Sequence, residues 1–170
     1  VEAWKYTNLG QLNSGNYELI TSADNVVNEM GLLENLKGSK VIFTDGFYNK
    51  ASSTIESQNG VKLLSLNDYL KDFPEAAQKI LNKNNDDSSL QSLNTALMTG
   101  GYVLFVDKNT TLTAPIQILH NTTTSSENKS IATKCFIDVQ ENSFAQIVEI
   151  FIGADEQNYW RHHVTEDIVS

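Results

Sequence analysis

Residues 101–170 are built almost entirely from short runs rich in β-branched and aromatic residues, at 102–106, 111–119, 131–139, 144–152 and 159–165, separated by Asn, Thr, Ser, Asp and Gly. Runs of this length between turn formers predict strands. Residues 1–100 instead mix helix and strand signals. The change near residue 100 therefore predicts an α+β amino-terminal region over 1–100 and a β region over 101–170, in a fold that is mainly β.

A weak echo runs through the β region. Val106-Asp-Lys-Asn109, Val139-Gln-Glu-Asn142 and Val164-Thr-Glu-Asp167 each set a valine before a polar turn. Their uneven spacing falls within the roughly 20–45 residues of stacked repeats. An antiparallel sandwich accounts for the same strands almost as well. Pro115 breaks the second run, and a proline is acceptable in a sheet at an edge, a bulge or the first position of a strand.

In the first region, Ser22 or Asp24 can cap a helix whose apolar residues Val26, Val27, Met30, Leu33 and Leu36 recur at helical spacing before Gly38. Lys40 to Tyr48 reads as a hairpin about Asp45-Gly46, a pair that takes positive φ at low cost. Val61–Leu66 predicts a strand. Asn67 or Asp68 is a cap for a short helix, and Pro74 opens another over 75–81. A polar linker follows at 82–89. Leu90, Leu93, Ala96 and Leu97 then predict a helix capped by Ser88 or Ser89 and stopped by Gly100-Gly101.

Charge and cysteine content narrow the function. Residues 1–100 carry 8 basic and 12 acidic groups and residues 101–170 carry 4 and 9, giving a net charge of −9 without a basic cluster. Nucleic acid and anionic membranes are poor partners for such a surface. A lone cysteine, Cys135, cannot close an internal disulfide, which favours a reducing, cytoplasmic setting. Three sequons, at Asn109, Asn121 and Asn128, are expected by chance in a chain this rich in Asn and Thr. No apolar run is long enough to span a bilayer or serve as a signal peptide. Because the first residue is Val, the chain is expected to be trimmed from something longer.

His162-His163, flanked by Asp155, Glu156, Glu166 and Asp167, has the residue types that bind zinc or iron. Neighbours on a strand point to opposite faces, however, so these two rings cannot share one ion. Either could meet His120, which the sequence alone does not decide. Cys135 shares a face with Ile137 and Val139 and reads as a small buried hydrophobe without a base to activate it. Tyr159 and Trp160 read as packing residues. None of the common phosphate-binding, nucleophile-elbow or paired-cysteine motifs occurs. No catalytic, cofactor-binding or metal-binding residue is assigned.

Several segments, in order, resemble one family. Glu2-Ala-Trp-Lys-Tyr-Thr-Asn-Leu9, Val41-Ile-Phe-Thr-Asp-Gly-Phe-Tyr48, Leu93-Asn-Thr-Ala-Leu97, Val103 to His120, and Val148-Glu-Ile-Phe151 with Asn158-Tyr-Trp160 and Val164-Thr-Glu166 are similar to the amino-terminal part of the SufB/SufD family of iron-sulfur cluster assembly proteins. The opening Trp-Lys-Tyr-Thr resembles the SufD type. This resemblance implies an α/β amino-terminal region leading into a right-handed parallel β-helix, whose first rungs are 101–170. It also implies a scaffold without catalysis of its own, acting with a SufB-like subunit and a SufC-like ATPase on which an iron-sulfur cluster forms transiently. A homodimer is compatible with it. The family's better-known functional residues would lie beyond Ser170, so none is carried over, and His120 is expected where a rung turns. The rival readings are a carbohydrate-active β-helix enzyme, in which His120, Glu149 and Asp155 would be tested first, and a surface adhesion module.

Overall fold

A computed structural model describes residues 10, 14–23, 33, 35–83, 89–153 and 155–168. The helix expected over 26–36 lies outside these residues except at Leu33, Asn35 and Leu36, as do Glu2–Leu9 and linker residues 84–88.

The described chain is mainly β with a few helices. Its strands are β1 (Glu18–Leu19), β2 (Lys40–Thr44), β3 (Phe47–Tyr48), β4 (Val61–Ser65), β5 (Tyr102–Val106), β6 (Ile116–Asn121), β7 (Lys129–Val139), β8 (Ile147–Ile152) and β9 (Trp160–Asp167). Three helices, α1 (Leu66–Asp72), α2 (Pro74–Lys83) and α3 (Ser89–Leu97), lie between β4 and β5. None of the described helices is long and apolar enough to cross a membrane.

The strands form two sheets. One is ordered β1-β7-β5-β4 with β9 also on β7, and the other β3-β2-β6-β8. From β5 onward every pairing between successive layers is parallel. Val103 pairs with Phe136, Ser130 with Trp160 and Ile116 with Ile147, so each strand meets its successor at a nearly constant offset along the chain. Antiparallel pairing is confined to β2–β3 and β4–β5, plus a lone bridge from Lys40 to Thr54. The inner faces of both sheets supply one core, in which Val41, Phe43, Ile116 and Ile118 meet Leu63, Tyr102, Leu104, Val106 and Cys135. Burying each such side chain contributes about 1.5–3 kcal/mol. On the outer face of the first sheet, Leu66 and Tyr69 of α1 and Ala77 of α2 cover Val103 and Phe136.

The corners explain the sequence echo. Asn109 and Asn142 both have positive φ, 59° and 56°, and lie one above the other, with Asn142 Nδ2 donating to Asn109 Oδ1 at 3.4 Å. Asn109 N–H donates to the Glu141 carbonyl and Phe144 N–H to that of Thr110. Val106 and Val139 are paired, as the echo predicts. The third member differs: Val164 pairs with Lys134, and the Val164–Asp167 segment lies within β9 instead of at a turn. A second corner stacks Asn128 under Asn158, whose Nδ2 donates to Asn128 Oδ1 at 3.1 Å. Two of the sequon asparagines therefore serve as corner posts, and the third, Asn121, is only 3% exposed.

Local chemistry departs from expectation in two places. Ser65, not Asn67 or Asp68, caps α1: its Oγ accepts from Asp68 N–H at 3.1 Å and donates to Asp68 Oδ2 at 2.6 Å, a reciprocal pairing close to a capping box. The second strand of the β region begins at Ile116, not 111, because Pro115 has no N–H for the ladder and falls just before the first strand residue. The Asp-Gly hairpin forms as expected, with φ of 51° at Asp45 and 88° at Gly46. Gly101 does more than stop a helix: a Cβ there would fall 1.7 Å from the Lys134 carbonyl oxygen, so only glycine lets β5 enter against β7.

Candidate functional site

The offset between layers decides which polar side chains meet between the sheets. His120 on β6 pairs with Phe43 of β2 on one side and with Phe151 of β8 on the other. The three rings form a column, His120 lying 5.1 Å from Phe43 at 13° and 4.6 Å from Phe151 at 6°. Glu149, two positions before Phe151 on the same face, reaches back so that its Oε1 lies 3.1 Å from His120 Nε2. From the facing sheet, His163 on β9 brings its Nε2 to 3.4 Å from the same Glu149 oxygen. One ligand atom from each of the three lies within 4.8 Å of the other two.

Burial sets the charges. His120 is 1% exposed, and the loss of water pulls its pKa down to about 4, so the ring is neutral near pH 7. Burial alone would raise Glu149, but hydrogen bonds from His120 and His163 outweigh it and hold the carboxyl at about 2. A neutral His120 donating Nε2–H to an ionised Glu149 satisfies both. His163 is fixed from behind, its Nδ1 lying 2.7 Å from Thr133 Oγ1 and its Nε2 also 3.0 Å from Thr165 Oγ1.

His120 therefore lies within β6, just before its last position and facing inward, and not in the turn where the sequence placed it. His162 and His163 do point to opposite faces. His162 stacks on Trp160 at 5.6 Å, and burial lowers its pKa. On that outer side, Asn94 of α3 donates to the carbonyls of Thr133 and His162. Lys134 and Glu166 form a buried ion pair there at 2.6 Å, with Lys134 also donating to Thr95 Oγ1 at 2.9 Å. Trp160 packs on Tyr17 as well, which fits its reading as a packing residue. Cys135 is fully buried in the core, and burial pushes its thiol pKa up. Asp155 sits in the exposed turn between β8 and β9 and is not part of the inward cluster. A groove lined by Gly38, Glu56, Gln58, Lys62, Leu112 and Thr113 has one carboxylate and no aromatic ring along it. Glycan cleavage ordinarily needs two facing carboxylates, so this groove is not built for it.

Sequence reasoning does not join His120, Glu149 and His163. They belong to three different strands in two sheets, and it takes the registers of β6–β8 and β7–β9 together with the packing of one sheet on the other to bring them together. The Val106/Val139 echo carries that signal weakly.

Fold and site together define a mainly β chain of stacked parallel strands, with a histidine–carboxylate cluster between its two sheets and its helices outside. Comparison with known proteins is more specific. The family described as SufBD protein N-terminal region matches residues 1–118, and the chain belongs to the SufBD family. It is similar to an iron-sulfur cluster assembly SufBD family protein of Synechocystis sp., with 26% identity over 161 residues that cover 92% of this chain and 35% of the relative. The chain thus spans about a third of the length of that relative. Membership does not favour the carbohydrate-active reading.

Proposed function

We propose that the chain is the amino-terminal part of a SufD-type scaffold subunit. It acts in the cytoplasm, without catalysis of its own, in a complex with a SufB-like scaffold and a SufC-like ATPase. The observation that carries this reading is the family match over residues 1–118, together with parallel strands from β5 to β9 stacked at a nearly constant offset. The Trp4-Lys-Tyr-Thr7 opening favours the SufD type over its SufB paralogue.

The stacked strands are, on this reading, the first coils of a right-handed parallel β-helix. Near-uniform offsets, asparagine corners in register and the strong right-handed preference of parallel crossovers support it. Among the described residues, no strand pairs with the outer edges of β8 and β9. Open edges invite pairing, so a further coil or a partner strand covers them. A scaffold of this kind holds the nascent cluster as cargo while ATP hydrolysis takes place on the partner.

The test is affinity purification of the intact protein from its native cells. An ABC-type ATPase and a SufB-like subunit are expected in stoichiometric amounts, with cluster content on the complex after anaerobic reconstitution. A protein that binds neither at micromolar concentration, or that alone releases reducing sugar from uronate polymers, overturns the reading.

A further inference from the structure

We infer that His120, Glu149 and His163 form a binding site for a borderline first-row divalent cation of the Zn(II), Co(II) or Fe(II) class. Two imidazoles and one carboxylate suit such ions, whereas Ca(II) and Mg(II) prefer sites made of oxygen donors.

Distances support the choice. At metal–donor lengths of about 2.0–2.1 Å, two donors on one tetrahedral ion are about 3.3 Å apart. The His120 Nε2–Glu149 Oε1 and His163 Nε2–Glu149 Oε1 separations are 3.1 and 3.4 Å, so two edges of the polyhedron already have the required length. The third needs to close from no more than 4.8 Å. That adjustment falls on His163, because His120 is clamped between the rings of Phe43 and Phe151.

The surroundings are those of a ligand set. A metal-bound imidazole hands its other N–H to an acceptor that fixes its tautomer. Thr133 Oγ1 stands 2.7 Å from His163 Nδ1, and a hydroxyl can donate to that nitrogen before binding and accept from it afterwards. The side chains of Glu149 and His163 are 23% and 16% exposed, so an ion has a way in. Three protein donors leave a fourth position for water or for a group from whatever covers them. Such a site is independent of whether the chain works in a complex.

The test is titration of the metal-free intact protein with Co(II) and then Zn(II). One equivalent of Co(II) with visible ligand-field bands, displaced by Zn(II), is expected. Glu149→Gln and His163→Gln should each weaken that equivalent at least tenfold. Thr133→Val, which touches only the positioning hydroxyl, should weaken it by about 10–100-fold. Absence of the equivalent, or one unchanged in both ligand variants, overturns the site and leaves the cluster a hydrogen-bonded triad. Should the variants not fold, X-ray absorption of the Zn(II)-loaded parent decides: two imidazoles in the shell sustain the site, none overturns it.

Discussion

Replacing Asp45 with alanine should be among the most damaging single changes in the amino-terminal region. The carboxylate is fully buried, and it accepts from Thr123 N–H, Thr123 Oγ and Ser126 Oγ, each at 2.7 Å. It thereby ties the β2–β3 turn to the corner between β6 and β7. Alanine removes all three acceptors. The two hydroxyls can rotate toward other partners at a cost of about 1 kcal/mol each, but the Thr123 N–H is stranded, which costs about 1–3 kcal/mol. Residue 45 also sits at a φ of 51°, which asparagine and aspartate adopt more readily than alanine, adding about 1 kcal/mol. The expected loss is about 4–6 kcal/mol, a large share of the stability of a typical domain. At a urea slope of about 2 kcal/mol per M, the unfolding midpoint should drop by about 2–3 M. Asp45→Asn keeps the backbone preference and one acceptor oxygen, so it should cost only about 1–2 kcal/mol. Urea unfolding followed by tryptophan fluorescence and far-UV dichroism measures both. An alanine variant within about 1 kcal/mol of the parent, or an asparagine variant equally damaged, would show that the buried carboxylate does not hold the corner.

Ser65→Ala removes the α1 cap and should cost about 1 kcal/mol in the same assay, while Ser65→Asp should be close to neutral. Lys134→Met leaves Glu166 as a buried charge without its lysine and should cost about 3–5 kcal/mol; the double change Lys134→Met with Glu166→Leu should recover most of it, and strict additivity would refute the coupling. Cys135 gives a pH signature. Its native thiol is held protonated by burial, whereas the unfolded thiol ionises above about pH 8.5. Its stabilisation is therefore complete below that pH and lost as pH rises, by up to about 1.4 kcal/mol per unit relative to Cys135→Ala. A difference between the two proteins that stays constant from about pH 7 to 10 would contradict this.

Elements governed by local chemistry are legible in the sequence. Tyr102–Val106 matches its expected strand at both ends, because a pure β-forming run ends at an Asp-Lys-Asn turn. The Asp45-Gly46 hairpin and the Pro74 helix start follow from backbone preferences that two or three residues express by themselves. Ser65 is hard to see as a cap because it also completes β4, and a strand-like run hides a cap at its end. Asp45 reads only as a turn residue, since its partners Thr123 and Ser126 are far away in the chain. The His120–Glu149–His163 cluster is hidden for the same reason: alternation along a strand gives each residue's face, but which residues face each other depends on the offset between layers. One true valine–asparagine repeat and one false one are too few to determine that offset.

The pairing offsets also set a timetable for synthesis. Lys40 pairs with Gln117, so the strand of the first hairpin waits until Gln117 has been added before its parallel neighbour begins to exist. At about 5–20 residues per second, that wait is roughly 4–15 s, during which an apolar strand has no parallel neighbour. Each later layer follows its predecessor within roughly 2–7 s at the same rate, and finds a finished edge to build on. The nascent chain is thus most dependent on chaperones before His120 leaves the ribosome, and slowing translation upstream of that point prolongs the exposure.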